Sequence, residues 1–292
     1  MEIRTPRSLA EALELKAERP DALAIQGGTD VMVALNFDRL RPEVVLNLSE
    51  VAELRGWSQE NGSLRLGAGL TYSEAMGGPV AEQLPALAEA ARTVGSPQIR
   101  NRGTIGGNLA TASPAGDALP PLLIEGAEVE CASVRGRRRV ALADFVTGVK
   151  RTVLAPDELI TAVLVVPSGR PQTFLKIGPR NAMVIAVCSL ALALHPDRRR
   201  VGTGIGSAGP VPLTAPEAER FLEGILSEHR LWEAPRPLGD TVRARFGDLI
   251  ASAAQPVGDV RGTAAYRVQA LRVVAGRVLD WVWADYLKAG PR

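Results

Sequence analysis

Residues 92–117 read RTVGSPQIRNRGTIGGNLATASPAGD, and no other stretch of the 292-residue chain constrains the fold as much. It shows neither the 3.6-residue period of an amphipathic helix nor the alternation of a half-buried strand. Gly103, Gly106, Gly107 and Gly116 permit backbone shapes and close approaches that a Cβ would block. Thr104, Asn108, Thr111, Ser113 and Asp117 supply short polar groups. A long irregular segment between periodic ones is more often functional than a spacer. The expectation is a loop that wraps a phosphate-bearing cofactor.

A second glycine segment lies near the N-terminus. A short buried strand at 22–25 runs into Gln26-Gly27-Gly28-Thr29-Asp30, and a helix-like stretch follows at 31–35. Strand, double glycine, helix start is a pattern in which free N–H groups point outward at an anion. A plain tight turn with Thr29 or Asp30 as an N-cap fits the same residues. Both readings stand on this segment alone.

Composition removes several function classes. A net charge of +2 gives no global attraction to nucleic acid or to an anionic membrane, and at 4% aromatic content base-stacking platforms are not expected. The two cysteines, Cys131 and Cys188, sit in apolar strand-like runs and are expected as buried thiols. Two cysteines supply neither the four thiolates of an iron–sulfur cluster nor a secreted disulfide framework. The two histidines, His195 and His229, lack ligand-like spacing, so no metal site is assigned. The first residues show no signal-peptide apolar core, and no apolar run is long and clean enough to span a bilayer. The expected location is the cytoplasm.

The remaining chain supplies a framework. Ser8 and Glu11, Thr71 and Glu74, and Thr214 and Glu217 have capping-box spacing before helical stretches. Helices are predicted at 9–19, 81–93, 119–124, 215–226, 241–253 and 263–287. Strands are predicted at 44–47, 64–68, 128–134, 138–142, 158–166, 173–177, 183–194 and 201–205. Ser168-Gly169-Arg170-Pro171 reads as a linker, which divides the chain at 1–168 and 171–290. Arg135, Arg137, Arg138 and Arg139 cluster at a hairpin tip and read as a solvated turn rather than a nucleic-acid patch. Gly204-Ile205-Gly206-Ser207-Ala208-Gly209 matches the dinucleotide fingerprint by letter. That fingerprint must open a helix, whereas Pro210 and Pro212 force an extended exit here, so it is read as a strand entering a corner.

Taken together, the two glycine segments carry a resemblance. QGGTD near the N-terminus, TIGGN about eighty residues later, then ASPAGD, resemble the FAD-binding (medium) subunit of the molybdenum hydroxylase family, of the xanthine dehydrogenase, carbon monoxide dehydrogenase and aldehyde oxidase type. The resemblance covers essentially the whole chain. It implies an α+β protein: a two-part FAD-binding domain of the p-cresol methylhydroxylase and vanillyl-alcohol oxidase type, followed by a small α+β C-terminal domain.

The same resemblance implies the site. Ala24, Ile25, Gln26, Gly27, Gly28, Thr29, Asp30 and Val31 form a first cofactor segment. Thr104, Ile105, Gly106, Gly107 and Asn108, with Thr111, form a second. Two such loops clamp a diphosphate with backbone N–H groups and no lysine. Asp30, itself an anion, is expected to cap the following helix or to accept from a hydroxyl. Asp117 lies where the family has an acid that accepts a hydrogen bond from the flavin, Val94 where a side chain packs near the ring, and Ile160 on a bordering strand. Lys176 matches a family lysine near the flavin whose charge favours the anionic reduced form. No catalytic acid, base or nucleophile is implied.

The resemblance also implies an oxidoreductase subunit in a heteromeric complex. Its partners are a large subunit with the molybdenum cofactor, a small subunit with two [2Fe-2S] clusters, and NAD or another electron acceptor. Stand-alone flavin reductases of related fold, and the flavoprotein subunits of carbon monoxide or aldehyde dehydrogenases, are the alternatives.

Overall fold

The structure, a computed structural model, describes residues 1–169 and 171–290. Arg170, part of the predicted linker, lies outside them. Two compact units are present, and neither is continuous in sequence. One holds Met1–Ala75, Gly95–Ser113 and Gly126–Val166; the other holds Met76–Val94, Pro114–Glu125 and the described chain from Pro167 onward.

In the first unit a parallel three-stranded sheet places Val44–Asn47 between Glu2–Arg4 and Leu23–Ile25. Parallel strands need crossovers: the helix Leu9–Glu18 lies on the one from Glu2–Arg4 to Leu23–Ile25, and Val31–Asn36 on the one from there to Val44–Asn47. Ser8 Oγ accepts from the Glu11 amide and starts the first of these helices, while the Glu11 carboxylate reaches back to the Arg7 amide. Leu9 and Ala12 bury against Ala22, Val44, Leu46, Val51 and Leu54. A five-stranded antiparallel sheet completes the unit, in the order Trp57–Glu60, Ser63–Gly67, Leu159–Val165, Glu128–Ser133, Gly136–Ala141. Glu2–Arg4 and Trp57–Glu60 are absent from the sequence prediction: each is an edge strand too short and too polar for an alternation to register. The basic hairpin is ion-paired, with Arg135 on Asp157 and Arg138 on Glu158, in keeping with a solvated turn.

The stretch 92–117 departs from the predicted irregular loop. Most of its middle is helical, in Pro97–Arg102 and Ile105–Thr111. One or two turns are too few for a hydrophobic period to show. Each helix is nucleated by a hydroxyl at its start: Ser96 Oγ accepts from the Ile99 amide and Thr104 Oγ1 from the Gly107 amide.

The second unit is built on an antiparallel sheet with Cys188–His195 between Gln172–Ile177 and Arg200–Gly206. Every residue of Cys188–His195 is buried because both faces are covered. Cys188, Leu190, Leu192 and Leu194 face a core shared with helices Pro216–Glu228, Asp240–Ala253 and Ala264–Ala289. Ala191 and Ala193 face Ala86, Ala90, Ile124 and Phe174. The predicted strand 183–194 therefore starts late. Met183 sits at φ 50° in a bend that precedes Cys188. The predicted helix 81–93 is two helices, Gly78–Gln83 and Pro85–Thr93, because Pro85 cannot donate to the preceding turn. The third capping box does not form. Ala215 is the N-cap, Pro216 opens the helix, and the Ala215 amide donates to Thr203 Oγ1 instead.

The fingerprint-like glycines have a packing role. Gly204 and Gly206 close the strand Arg200–Gly206, and the next helix starts only at Pro216. Gly202, Gly204 and Gly206 alternate along one face of the strand. A Cβ at Gly202 or Gly204 would overlap the Ile124 or Pro120 carbonyl oxygen, and one at Gly206 would crowd Ser189 Oγ and the Pro120 ring. They form a groove that seats the helix Leu119–Ile124, two residues after Asp117.

Candidate cofactor site

The first glycine segment leaves the half-buried edge strand Leu23–Ile25 and enters the helix Val31–Asn36. Gly28 has φ 75°, a conformation that an L side chain strains to adopt. Gly27 packs against the other segment: a Cβ there would overlap the Arg102 carbonyl oxygen. Among the described residues no protein acceptor takes the amides of Gly27, Gly28 or Thr29. Asp30 is the N-cap by position but makes no side-chain cap bond. Its Oδ2 lies 3.5 Å from Thr111 Oγ1, at the outer limit of a hydrogen bond.

The second segment is built differently. The Ile105 amide donates to the Leu70 carbonyl and the Gly106 amide to the Ala68 carbonyl. The Gly107 amide goes to Thr104 Oγ1 and the Asn108 amide to the Thr104 carbonyl. All four are engaged by the protein. Gly106 is a packing glycine, since a Cβ there would meet Ala68. Gly107 is exposed and meets only Thr104 Oγ1. What this segment offers a ligand is a side-chain oxygen: Asn108 Oδ1 is buried and, among the described residues, has no hydrogen-bond partner. Ile160, on the strand Leu159–Val165, is buried at an irregularity where the pairing with Glu128–Ser133 shifts register.

In the second unit two expected residues come together. Lys176 Nζ donates to Asp117 Oδ2 at 2.7 Å, to the Thr93 carbonyl at 3.0 Å and to the Val184 carbonyl at 3.1 Å. Val94 follows Thr93 as the C-cap of Pro85–Thr93. The lysine and aspartate side chains are 5% and 10% exposed, so the ion pair is shielded from water. Burial pushes the Asp117 carboxyl above the usual carboxylate range, against the pull of the Lys176 ammonium. Asp117 Oδ1 is buried and has no donor among the described residues. A buried acceptor left open beside a fixed counter-ion is shaped to take an N–H or O–H from a ligand.

Supporting groups went unread in the sequence. The Thr93 and Val184 carbonyls are backbone and carry no residue signal. Arg267 is a charged residue at the start of an apolar helix, and that misplaced charge is the one signal that marks it.

FAD contains a diphosphate, a hydroxylated chain and a ring with an N–H donor. The first unit has amides without protein acceptors and a buried amide oxygen; the second has a buried carboxylate oxygen without a donor. The residues fit the group.

Comparison with known proteins agrees. Residues 1–168 match the family described as the FAD binding domain in molybdopterin dehydrogenase, and residues 173–282 match the CO dehydrogenase flavoprotein C-terminal domain. The nicotinate dehydrogenase FAD-subunit of Eubacterium barkeri is 35% identical over 253 residues, covering 81% of this chain and 84% of that one. The xanthine dehydrogenase FAD-binding subunit of Escherichia coli O157:H7 is 33% identical over 221 residues, 73% of this chain and 76% of that one. Among solved structures, quinoline 2-oxidoreductase from Pseudomonas putida 86 superposes with a TM-score of 0.87 at 26% identity, covering 97% of each chain.

Proposed function

This chain belongs to the FAD-binding subunits of the molybdenum hydroxylases, and from that premise we propose that it is the flavin station of an electron relay. It takes electrons from an iron–sulfur subunit and passes them to NAD or another acceptor, while a large molybdenum subunit oxidises the substrate. The observation that carries the relay is the inventory of redox ligands. The chain has two cysteines. Both are buried free thiols, pushed up to about 11 at Cys131 and about 12 at Cys188 by desolvation. A four-thiolate cluster needs more, which supports an iron–sulfur donor held outside these residues. The free thiols also support a cytoplasmic location, and no helix among the described residues is long and apolar enough to cross a membrane.

When bound, FAD accepts electrons in pairs or singly. The protein's part is to bind and orient. The amides of Gly27, Gly28 and Thr29 hold diphosphate oxygens; Asn108 Oδ1 and Asp30 accept from hydroxyls. Asp117 Oδ1 accepts from the ring, with Val94 and Ile160 as apolar contacts. Lys176 holds Asp117 and keeps a positive charge nearby, which favours added electrons. The division into a cofactor domain at 1–168 and a C-terminal domain at 171–290 is part of the proposal.

Purification of the tagged chain from its own cells tests the relay. A molybdenum-containing large subunit and an iron–sulfur small subunit are expected to co-purify with it. A chain that stays alone and reduces a small substrate with NADPH would overturn the reading in favour of a stand-alone reductase.

A further inference from the structure

Arg267 lies in the first turn of the helix Ala264–Ala289, with its side chain 5% exposed. One terminal nitrogen, Nη1, donates to the Val187 carbonyl and to the Ser207 carbonyl, both at 2.6 Å; the other, Nη2, donates to Asp259 Oδ1 at 2.6 Å. Its Nε has no partner among the described residues. Burying a guanidinium is costly, and an apolar side chain of similar volume would pack at this place without that cost. Its retention calls for a role that a hydrophobic residue lacks, and the two carbonyls supply one.

Both residues are hydrogen-bonded to the segments that carry Asp117 and Lys176. The Val187 amide donates to the Ile177 carbonyl at 2.7 Å, next to Lys176. The Ser207 amide donates to the Pro114 carbonyl at 2.8 Å, three residues before Asp117. Ser207 holds φ 58°, a left-handed conformation that a non-glycine residue keeps only when its surroundings impose it. Nη1 ties the two strand ends while Nη2 anchors the same guanidinium on Asp259, and a lysine ammonium, a single nitrogen, does not reproduce that geometry.

We propose that Arg267 is a positioning residue for the flavin-facing acid: it holds the strand ends that set Asp117 against Lys176. This rests on the reading that Asp117 faces the flavin.

The test uses the full chain loaded with FAD and reads three quantities: FAD affinity, the midpoint potential of the bound flavin, and thermal stability. Asp117→Asn is expected to displace the potential. Arg267→Lys is expected to displace it in the same direction and to weaken FAD binding about tenfold, as loss of a supporting shell does elsewhere. The double variant should match Asp117→Asn alone. Asp259→Asn, at a more accessible partner of the guanidinium, should give a smaller displacement of the same sign, and it serves if Arg267→Lys does not fold. Arg267→Lys and Asp259→Asn that lower thermal stability yet leave potential and affinity at the parent values would overturn the positioning role. An Asp117→Asn protein with an unshifted potential would instead overturn the placement of Asp117 at the flavin.

Discussion

Lys176 uses all three of its ammonium hydrogens inside the protein, on Asp117 and the carbonyls of Thr93 and Val184. None is left for a ligand, so a contact with one would run through the carboxylate it fixes. Lys176→Met leaves that carboxylate buried without a counter-ion and is expected to cost about 3 kcal/mol of unfolding free energy at neutral pH; an unchanged urea midpoint would count against the pair. Glu125 is a second buried acid, accepting from the Ser168 amide, Ser168 Oγ and Gln172 Nε2. Burial holds its carboxyl above the ordinary 4.5, against those bonds. The folded protein then binds the proton more tightly than the unfolded chain does, so this stabilisation is full below 4.5 and is lost as pH rises through the folded-state value. Relative to Glu125→Gln, the parent should lose stability with rising pH across that window, and a difference that does not vary with pH contradicts this. The glycines separate in the same way. Gly27→Ala should cost about 2 kcal/mol by overpacking alone, whereas Gly107→Ala should keep the fold and retain less FAD. Thermal melts and flavin content of the two variants check this, and the reverse order would contradict it. The residue types of the site were legible in the sequence. Which amides remain free was not, since the acceptors of Ile105 and Gly106 come from Leu70 and Ala68, more than thirty residues earlier.

Among the elements, the strand Arg200–Gly206 shows how one glycine pattern serves two ends. Its alternating glycines let the Leu119–Ile124 backbone lie against the sheet, and that helix begins two residues after Asp117. Gly204→Ala places a Cβ on the Pro120 carbonyl oxygen and should lower stability by about 2 kcal/mol. Calorimetry checks the loss, and a variant as stable as the parent would show that the helix is not seated there. Long elements with a covered face were legible. The helices at 241–253 and 263–287 correspond to Asp240–Ala253 and Ala264–Ala289. Short elements were not. The helices inside 92–117 run six and seven residues, and their starts depend on Ser96 and Thr104 rather than on any periodicity. The apolar run 183–194 reads as one strand in sequence because the bend at Met183 is fixed from elsewhere: Lys176 donates to the Val184 carbonyl and Arg180 to the Met183 carbonyl.

Over the whole molecule, family membership was readable because two glycine segments and an acid occur in a fixed order. The assignment of segments to units was not, because Met76–Val94 and Pro114–Glu125 leave the N-terminal half for the second unit through packing. Ala86, Ala90 and Ile124 share a buried cluster with Phe174, Ala191 and Ala193, a grouping that no local pattern announces. Electron passage through the assembled protein is followed by rapid mixing. FAD-loaded chain is mixed anaerobically with the pre-reduced iron–sulfur subunit, and the flavin's visible absorption is followed before and after an acceptor is added. The relay predicts that the flavin band bleaches on mixing and returns on addition of NAD or another acceptor. A flavin that stays oxidised beside a reduced iron–sulfur subunit would contradict it.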